Sequence, residues 1–147
     1  MNLIIDVGNT FIKLAVFKNN LLIKKINTSK EKFFEDFERI SIEYKNLINV
    51  IISSVGFFSE EAILKIKEKY LTIILSHKTH LPFTNKYKTP LTLGSDRIAL
   101  VSAAAIKYPY KDVLIIDVGS CITFDFKNSK NEYLGGSITP GIEFRHR

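Results

Sequence analysis

Cysteine is almost absent from this chain of 147 residues, which contains Cys121 and no other. A single cysteine excludes a disulfide within the chain and is typical of proteins in a reducing compartment. The N-terminus lacks a basic segment followed by a long apolar run, so we expect no signal peptide. The apolar stretch at residues 98–106 is far shorter than the roughly 20 residues that cross a bilayer. We therefore expect a cytoplasmic protein with no membrane partner.

A basic patch is also lacking, although the formal net charge is +6, from 21 basic and 15 acidic residues. The lysines are scattered, without an arginine cluster or a basic stripe with interleaved aromatic residues. This distribution disfavours nucleic acid as a partner and favours a general preference for anionic small molecules. An apolar fraction of 46% is sufficient for a packed core, and the length indicates one domain or two small ones.

The most informative pattern is a repeat, because residues 3–8 (LIIDVG) recur letter for letter at residues 114–119. Each copy is an apolar run that ends at Asp-x-Gly, which predicts a buried strand followed by a tight turn. Two such turns indicate two related half-structures that aim their carboxylates at a shared cleft. Glycine lets main-chain amides approach phosphate oxygens, and a carboxylate beside phosphates needs a cation between them. The repeat therefore points to a nucleotide and a metal.

The hydrophobic pattern around the second copy restarts the pattern around the first. Strands are predicted at residues 3–6, 11–17, 21–26, 50–55, 71–75, 113–117, 122–126 and 133–138. Helices are predicted at residues 30–44, after a cap at Thr28 or Ser29, then after a cap at Ser59, and from Ser95 to about Tyr108. Residues 77–92 are polar, contain two prolines and are expected to cross between the halves.

Four blocks of residues carry a resemblance to a known family. They are Asp6-Val7-Gly8-Asn9-Thr10 with Lys13, Tyr87-x-x-Pro90-x-x-Leu93-Gly94-Ser95-Asp96-Arg97, Asp117-Val118-Gly119-Ser120 with Thr123 and Asp125, and Gly135-Gly136-Ser137-Ile138-Thr139-Pro140-Gly141. With these blocks in this order, the chain resembles the type III pantothenate kinases of the actin, hexokinase and Hsp70 superfamily. The resemblance implies a two-lobed actin-like (ribonuclease H-like) α/β fold. It implies a first lobe at residues 1–88 and the start of a second, incomplete lobe at 89–147.

The same resemblance implies ATP-dependent phosphorylation of pantothenate to 4'-phosphopantothenate, the first step of coenzyme A biosynthesis. Asp96 would be the catalytic acceptor of the hydroxyl proton, and Asp117 would bind a monovalent cation, K⁺ or NH₄⁺. Mg²⁺ would accompany ATP, and the protein would be a homodimer. The implied ATP-binding residues are Asp6, Val7, Gly8, Asn9, Thr10, Phe11, Ile12, Lys13 and Ser120. The implied pantothenate-binding residues are Tyr87, Gly94, Ser95, Asp96 and Arg97.

The residues at the start of the third predicted helix have two interpretations. Ser95 or Asp96 begins the helix, so Asp96 is a candidate helix cap. Arg97 argues against capping alone, because a cation in a first helical turn opposes the helix dipole. An anionic ligand would remove that conflict, and pantothenate carries a carboxylate. The family usually has Thr-Ala where this chain has Ser120-Cys121, and serine keeps the hydroxyl.

Other interpretations remain open at this stage. One is a non-catalytic, nucleotide-binding or regulatory member of the same superfamily, and another is an acetate or sugar kinase, against which residues 87–97 discriminate. His77 and His80 have a metal-like spacing, but no further ligand lies nearby, so we expect solvated loop histidines. Cys121 is expected to be a small core residue. Because the family's later threonine and helices do not occur in these residues, we expect the 147-residue form to be a poor enzyme or none. Its second sheet would otherwise expose an apolar face, so we expect this form to self-associate or swap elements, to be partly disordered there, or to be part of a longer molecule.

Overall fold

The structure is a computed structural model that describes residues 1–56 and 58–142. The chain divides into two compact units, Met1–Ser76 and His77–Arg147. Each unit contains one copy of the repeated strand and builds its own sheet around it.

The first unit is a five-stranded sheet with two helices packed on one face. Its elements are β1 (Asn2–Val7), β2 (Ile12–Lys18), β3 (Leu21–Thr28), α1 (Phe33–Glu43), β4 (Asn49–Ser54), α2 (Glu60–Lys69) and β5 (Leu71–Ile74). The strand order is β3-β2-β1-β4-β5, in which β1, β2 and β3 are antiparallel and β4 and β5 run parallel to β1. The two helices are the crossovers that parallel neighbours require.

The core of the first unit follows from two periodicities in the sequence. Alternate residues of β1, namely Leu3, Ile5 and Val7, are all 0% exposed, as expected for a strand with one buried face. The helices contribute apolar residues at helical spacing, which are Phe33, Phe37, Ile40, Ala62 and Ile66. Fully burying each large apolar side chain contributes about 1.5–3 kcal/mol, so this cluster stabilises the unit strongly.

The predicted helix starts agree with the structure in part. Ser59 caps α2 as predicted, because its side chain accepts a hydrogen bond from the Ala62 amide at 3.2 Å. The cap predicted for α1 is wrong, since α1 begins at Phe33 after Lys32. The hydroxyl of Ser29 accepts from the Lys32 amide at 3.4 Å and so belongs to the turn before the helix.

The second unit has a smaller sheet and one α-helix. Its elements are β6 (Thr84–Asn85), a 3₁₀ helix (Pro90–Thr92), α3 (Ser95–Lys107), β7 (Val113–Val118), β8 (Cys121–Lys127) and β9 (Glu132–Pro140). The strand order is β6-β9-β8-β7, and β7, β8 and β9 repeat the antiparallel pattern of β1, β2 and β3. The short strand β6 is parallel to β9, with the Thr84 amide donating to Asn131 O at 2.9 Å. Residues 77–88, expected in the first lobe, thus belong to the second compact unit.

The two copies of the repeated strand are buried very differently. Leu3, Ile5 and Val7 are covered by α1 and α2, whereas their counterparts Leu114, Ile116 and Val118 are 59%, 53% and 61% exposed. Two differences explain this contrast. Helix α3 lies on the opposite face of its sheet, where its Arg97 reaches Asp125 of β8. In addition, no described strand pairs with β7 in the way that β4 pairs with β1.

The repeat offers a matched pair of substitutions, since Ile5 and Ile116 occupy the same position in the two copies. We expect Ile5→Glu to destabilise the first unit by about 3–5 kcal/mol, the cost of an uncompensated buried charge. Ile116→Glu should change the stability of the second unit by only about 0.5 kcal/mol, because that side chain is already exposed. Urea unfolding followed by amide NMR signals of each unit measures both changes.

An equally large loss of stability in both variants would show that β7 is covered in solution. Sedimentation velocity of residues 1–147 then identifies the cover. A parent chain that sediments as a dimer, with a monomeric Ile116→Glu variant, would assign it to a second copy of the chain.

Candidate functional site

Each copy of the repeated strand ends in a turn that is closed by its glycine. The Gly8 amide donates to Phe11 O at 3.1 Å, and the Gly119 amide donates to Cys121 O at 2.9 Å. The two turns differ in length, because Val7 pairs with Ile12 but Val118 pairs with Ile122. The first turn is therefore one residue longer, and the glycine amide of each turn is used within the turn itself.

The first turn exposes the polar residues that the sequence assigns to phosphate binding. Asn9, Thr10 and Phe11 are exposed, whereas the side chains of Val7 and Ile12 lie in the core and leave only their backbone for a ligand. Asp6 and Lys13 are cross-strand partners, and the Lys13 Nζ lies 3.2 Å from Asp6 Oδ2. Both side chains are partly exposed, so this ion pair contributes only about 0–1 kcal/mol and Lys13 can exchange it for another anion.

Residues that follow β4 form hydrogen bonds to the start of the first turn. The amides of Val55 and Gly56 both donate to Val7 O, at 3.1 and 3.4 Å. A Cβ atom on Gly56 would lie 3.0 Å from Gly8 O, so a larger residue there would press on the turn. The backbone of this turn is thus held by a neighbouring strand rather than by side chains.

The second turn presents a carboxylate without an internal counter-ion. Asp117 pairs across the strands with Thr123, which occupies the place that Lys13 has in the first copy. Among residues 1–56 and 58–142, Asp117 has no ion-pair partner, and the buried hydroxyl of Thr123 has no hydrogen-bond partner. Ser120 is exposed beside them. Cys121 is also exposed, so its predicted place in the core is wrong, because it lies in the turn itself.

Gly141 lies against the second turn so closely that no side chain fits. A Cβ atom at this position would lie 2.3 Å from Gly119 O and 2.6 Å from Ser120 O. The Gly141 amide donates to Ser120 O at 2.9 Å. The last glycine of the fourth sequence block therefore allows this close contact with the carbonyl groups of the turn.

The start of α3 carries the residues assigned to pantothenate and catalysis. Helix α3 begins at Ser95, as predicted, and its N-cap residue is Gly94, which provides no side-chain hydrogen bond. The alternative interpretation of Asp96 as a helix cap therefore does not hold. Asp96 is half-buried, and its Oδ1 accepts from the Arg97 amide at 2.8 Å. No partner of its Oδ2 occurs in the described part of the chain.

Arg97 is buried and bound by the second sheet. It is 4% exposed, and its Nε donates to the two carboxylate oxygens of Asp125 at 2.9 and 3.1 Å. Its Nη2 donates to Asp125 Oδ1 at 2.5 Å and to the Tyr133 hydroxyl at 2.9 Å. The Tyr133 hydroxyl in turn donates to Asp125 Oδ1 at 2.6 Å. We call these three residues the arginine cluster.

Tyr87 packs against the arginine cluster. The guanidinium carbon of Arg97 lies 5.5 Å from the centre of the Tyr87 ring, and the rings of Tyr87 and Tyr133 are 5.9 Å apart. Such cation–π contacts favour a fixed orientation of both groups. The structure therefore brings Tyr87 and Arg97 together, as their assignment to one ligand requires.

The arginine cluster shifts the pKa values of its own members. Burial and the hydrogen bond to Asp125 raise the pKa of Tyr133 above that of an ordinary tyrosine. Burial alone would lower the pKa of Arg97, but the hydrogen bonds and negative charge of Asp125 outweigh it and raise the pKa. The cluster thus consists of a neutral phenol and a charged pair of opposite signs.

Two members of the cluster were not predicted as functional residues. The sequence places Asp125 in one of the four blocks and Tyr133 in a predicted strand, without a role for either. The alternation in β8 is misleading, because its polar residues face α3 and are buried, while Phe124 and Phe126 are only partly buried. The polar series is Thr123, Asp125 and Lys127. Charged residues at every second position of a short apolar strand are the signal that would have drawn attention to this face.

Lys127 is the second buried charged residue of β8, and its amine has hydrogen-bond partners of its own. Its Nζ donates to Lys111 O and Asn131 Oδ1, both at 2.9 Å, and to Asn128 O at 3.4 Å. These bonds tie the hairpin after β8 to the segment before β7. They involve no residue of the arginine cluster.

Other candidate ligands do not form a site in the part of the chain that the structure describes. His77 and His80 are exposed, and no group of three or more His, Cys, Asp or Glu residues comes together there. None of the described helices has the length and hydropathy needed to cross a membrane.

Known proteins of one family match the whole chain. The sequence matches the family profile described as "Type III pantothenate kinase" over residues 2–147. A Christiangramia forsetii protein of that name is 49% identical over 147 residues, covering 100% of this chain and 60% of that protein. A Flavobacterium johnsoniae protein of the same name is 36% identical over 146 residues, covering 99% of this chain and 60% of that protein. The chain thus spans about 60% of the length of these curated relatives.

A solved structure supports the fold. The chain is similar to the Ppx/GppA phosphatase of Aquifex aeolicus with a TM-score of 0.52 and 13% identity, covering 97% of this chain and 53% of that one. At this identity the likeness concerns the fold and not the chemistry. With the strand order of the two units, it confirms the predicted two-lobed actin-like class, in which the second lobe has fewer elements than the first.

The pKa of Tyr133 predicts how the second unit responds to alkaline pH. The fold favours the protonated phenol, whereas the unfolded chain loses this proton near its ordinary pKa of 10.0. Stability should therefore be fully present below pH 10 and fall above it, with this residue contributing about 1.4 kcal/mol per pH unit. Tyr133→Phe should remove that contribution, and Tyr110→Phe, at an exposed position of the same unit, is the control.

Urea unfolding at pH values between 9 and 11, followed at amide signals of β8 and β9, measures this slope. If stability fell with pH equally in the parent chain and in Tyr133→Phe, the loss above pH 10 would not come from the phenol of Tyr133.

Proposed function

Because the chain belongs to the type III pantothenate kinase family, we propose that it takes part in transfer of the γ-phosphoryl group of ATP to the primary hydroxyl of pantothenate. The product would be 4'-phosphopantothenate, in the first step of coenzyme A biosynthesis. We further propose a cytoplasmic homodimer, as the family resemblance implies.

Asp96 is the proposed proton acceptor of this transfer. The pantothenate hydroxyl oxygen forms a bond to the γ-phosphorus, the bond from that phosphorus to the oxygen of ADP breaks, and the hydroxyl proton passes to the Asp96 carboxylate. Phosphoryl transfer requires little covalent chemistry from the protein, so a positioned carboxylate is sufficient. The observation that supports this role most directly is that Oδ2 of half-buried Asp96 has no partner among the described residues, while Oδ1 is held by the Arg97 amide.

Pantothenate would be bound by residues of the second unit. Tyr87, Gly94, Ser95 and Arg97 are the proposed contacts, in addition to Asp96. Asp125 already neutralises the Arg97 guanidinium, so Arg97 offers a carboxylate ligand hydrogen bonds rather than an unpaired charge.

The phosphates of ATP would be bound mainly by the first turn. Asn9 and Thr10 are exposed neutral donors, and Lys13 can leave Asp6 for a more highly charged anion. Residues Asp6, Val7, Gly8, Phe11 and Ile12 complete the proposed loop through their backbone or charge. Ser120 is a further proposed ATP contact, as the family resemblance implies.

The second turn suits a monovalent cation. Asp117, the unpartnered hydroxyl of Thr123 and the carbonyl oxygens near Gly141 are all oxygen donors, which K⁺ and other hard cations prefer. The first turn is different, because Lys13 already supplies a positive charge there. The cation at Asp117 would be K⁺ or NH₄⁺, and Mg²⁺ would accompany ATP.

Asp96→Asn is expected to abolish phosphorylation while the protein stays folded. Removal of a general base typically lowers the rate by about 10²–10⁴-fold. We define the extended chain as residues 1–147 joined to the part of the Christiangramia forsetii relative that the match leaves uncovered. Pantothenate-dependent release of ADP by this extended chain measures the effect.

Asp112→Asn is the control for the Asp96 variant, because it makes the same change of charge at an exposed site of the same unit. Turnover of Asp96→Asn within a few-fold of the parent would contradict the role of Asp96. An extended parent chain that binds ATP and pantothenate without turnover would instead support a non-catalytic, regulatory member of the superfamily.

Potassium is expected to stabilise the second unit through Asp117. With Mg²⁺–ATP present, exchange of NaCl for KCl should raise the thermal midpoint of residues 1–147 by a few degrees, and Asp117→Asn should abolish the difference. Asp112→Asn again matches the change of charge and should keep the response. Equal midpoints in the two salts for the parent chain would count against a cation site here.

A further inference from the structure

Stability alone does not account for the ion pair between Arg97 and Asp125. Apolar residues of similar volume in place of a buried ion pair are often neutral or stabilising. The corresponding strand of the first unit has no carboxylate at this place. Ala15 occupies the place of Asp125 there, because it pairs with Ile4 as Asp125 pairs with Ile115.

The neighbouring strand leaves room for the ion pair. Gly136 pairs with Asp125, and a Cβ atom on Gly136 would lie 1.8 Å from Phe124 O and 2.7 Å from Asp125 Oδ1. Gly135 has a φ of +116°, and a Cβ atom there would lie 3.2 Å from the Tyr87 ring. Two consecutive glycines, which weaken a strand, thus accommodate the arginine cluster and Tyr87.

The ion pair fixes the first turn of α3. Gly94 contributes no side-chain cap, so the usual side-chain restraint on a helix start is lacking here. Arg97 ties this turn to β8 through Asp125 and to β9 through Tyr133. Asp96 is the adjacent residue, and its Oδ1 is bonded to the Arg97 amide, so the place of its carboxylate follows from the place of Arg97.

We propose that Asp125 and Tyr133 are positioning residues that act through Arg97 to hold the Asp96 carboxylate where it accepts the substrate proton. This inference rests on the proposed function. Asp125 has a second effect, because it gives the guanidinium a partner other than Asp96. Without that partner, the Arg97 guanidinium would be able to pair with the Asp96 carboxylate. This ion pair would compete with the transfer of the substrate proton to Asp96.

The first test measures turnover of variants of the extended chain. Asp125→Asn keeps the volume but removes the charge, and we expect kcat to fall about 10²-fold, the cost of roughly 1 Å of misplacement, with KM for ATP changed less than twofold. Tyr133→Phe leaves the Arg97–Asp125 bonds in place, so kcat should fall only about 3–10-fold.

Lys127→Met is the matched control for loss of a buried charge. It removes the other buried charge of β8, whose partners lie away from α3, so it should lower stability but leave kcat within about threefold of the parent. An equal loss of kcat in Asp125→Asn and Lys127→Met at similar stability would overturn the proposal. So would an Asp125→Asn variant with kcat within threefold of the parent.

The second test needs no turnover and uses residues 1–147. The Ile98 amide donates to Gly94 O at 3.1 Å, which is the first main-chain hydrogen bond of α3. We expect Asp125→Asn to speed hydrogen exchange of this amide at least tenfold relative to Lys127→Met, whereas amides of β8 exchange alike in both variants. Equal exchange of Ile98 in the two variants would overturn the anchoring. An inactive parent extended chain would contradict the proposed function but leave this test valid.

Discussion

The buried ion pair between Arg97 and Asp125 is the interaction on which the arrangement of the second unit depends. It ties α3 to the sheet, and Tyr133 and Tyr87 pack around it. The space for it comes from the two glycines of β9. Helix position, strand composition and ring packing are therefore coupled, because an unpaired guanidinium in this interior would cost several kcal/mol.

The two units show how the surroundings decide what the same residues do. The repeated strand lies under helices in the first unit, but in the second unit α3 packs on the opposite face. The two Asp-x-Gly turns also differ, since Asp6 pairs with Lys13 and Asp117 pairs with Thr123. One turn is thus internally neutralised and the other is not, which divides phosphate binding and cation binding between them in the proposed function.

Much of the fold was predictable from sequence, because its strands are long and their apolar residues alternate. Strand β6 was not predicted, because a strand of two residues, Thr84 and Asn85, is too short to show an alternation of apolar and polar residues. The buried face of β8 was also not predictable from alternation. Asp125 is buried with Arg97 as its partner, 28 residues away in sequence, and one acceptor of the Lys127 amine is the carbonyl of Lys111, 16 residues away.

The candidate site was predictable as motifs but not as contacts. The resemblance implies that Tyr87 and residues 94–97 bind one ligand. Two of these residues are in contact in the structure, since the Arg97 guanidinium lies over the Tyr87 ring. The positions of Asp125 and Tyr133 relative to Arg97 depend on how α3 crosses the sheet. No local pattern in the sequence encodes that crossing.

The burial of Lys127 has a consequence for the chemistry of lysine modification. Its amine is inaccessible and bonded to three oxygen acceptors, so an acylating enzyme or reagent cannot reach it in the folded unit. An acyl group would also remove the donors that those oxygens require. A modified Lys127 would therefore mark molecules that were acylated before folding or during an opening of the second unit, and would keep them from closing again.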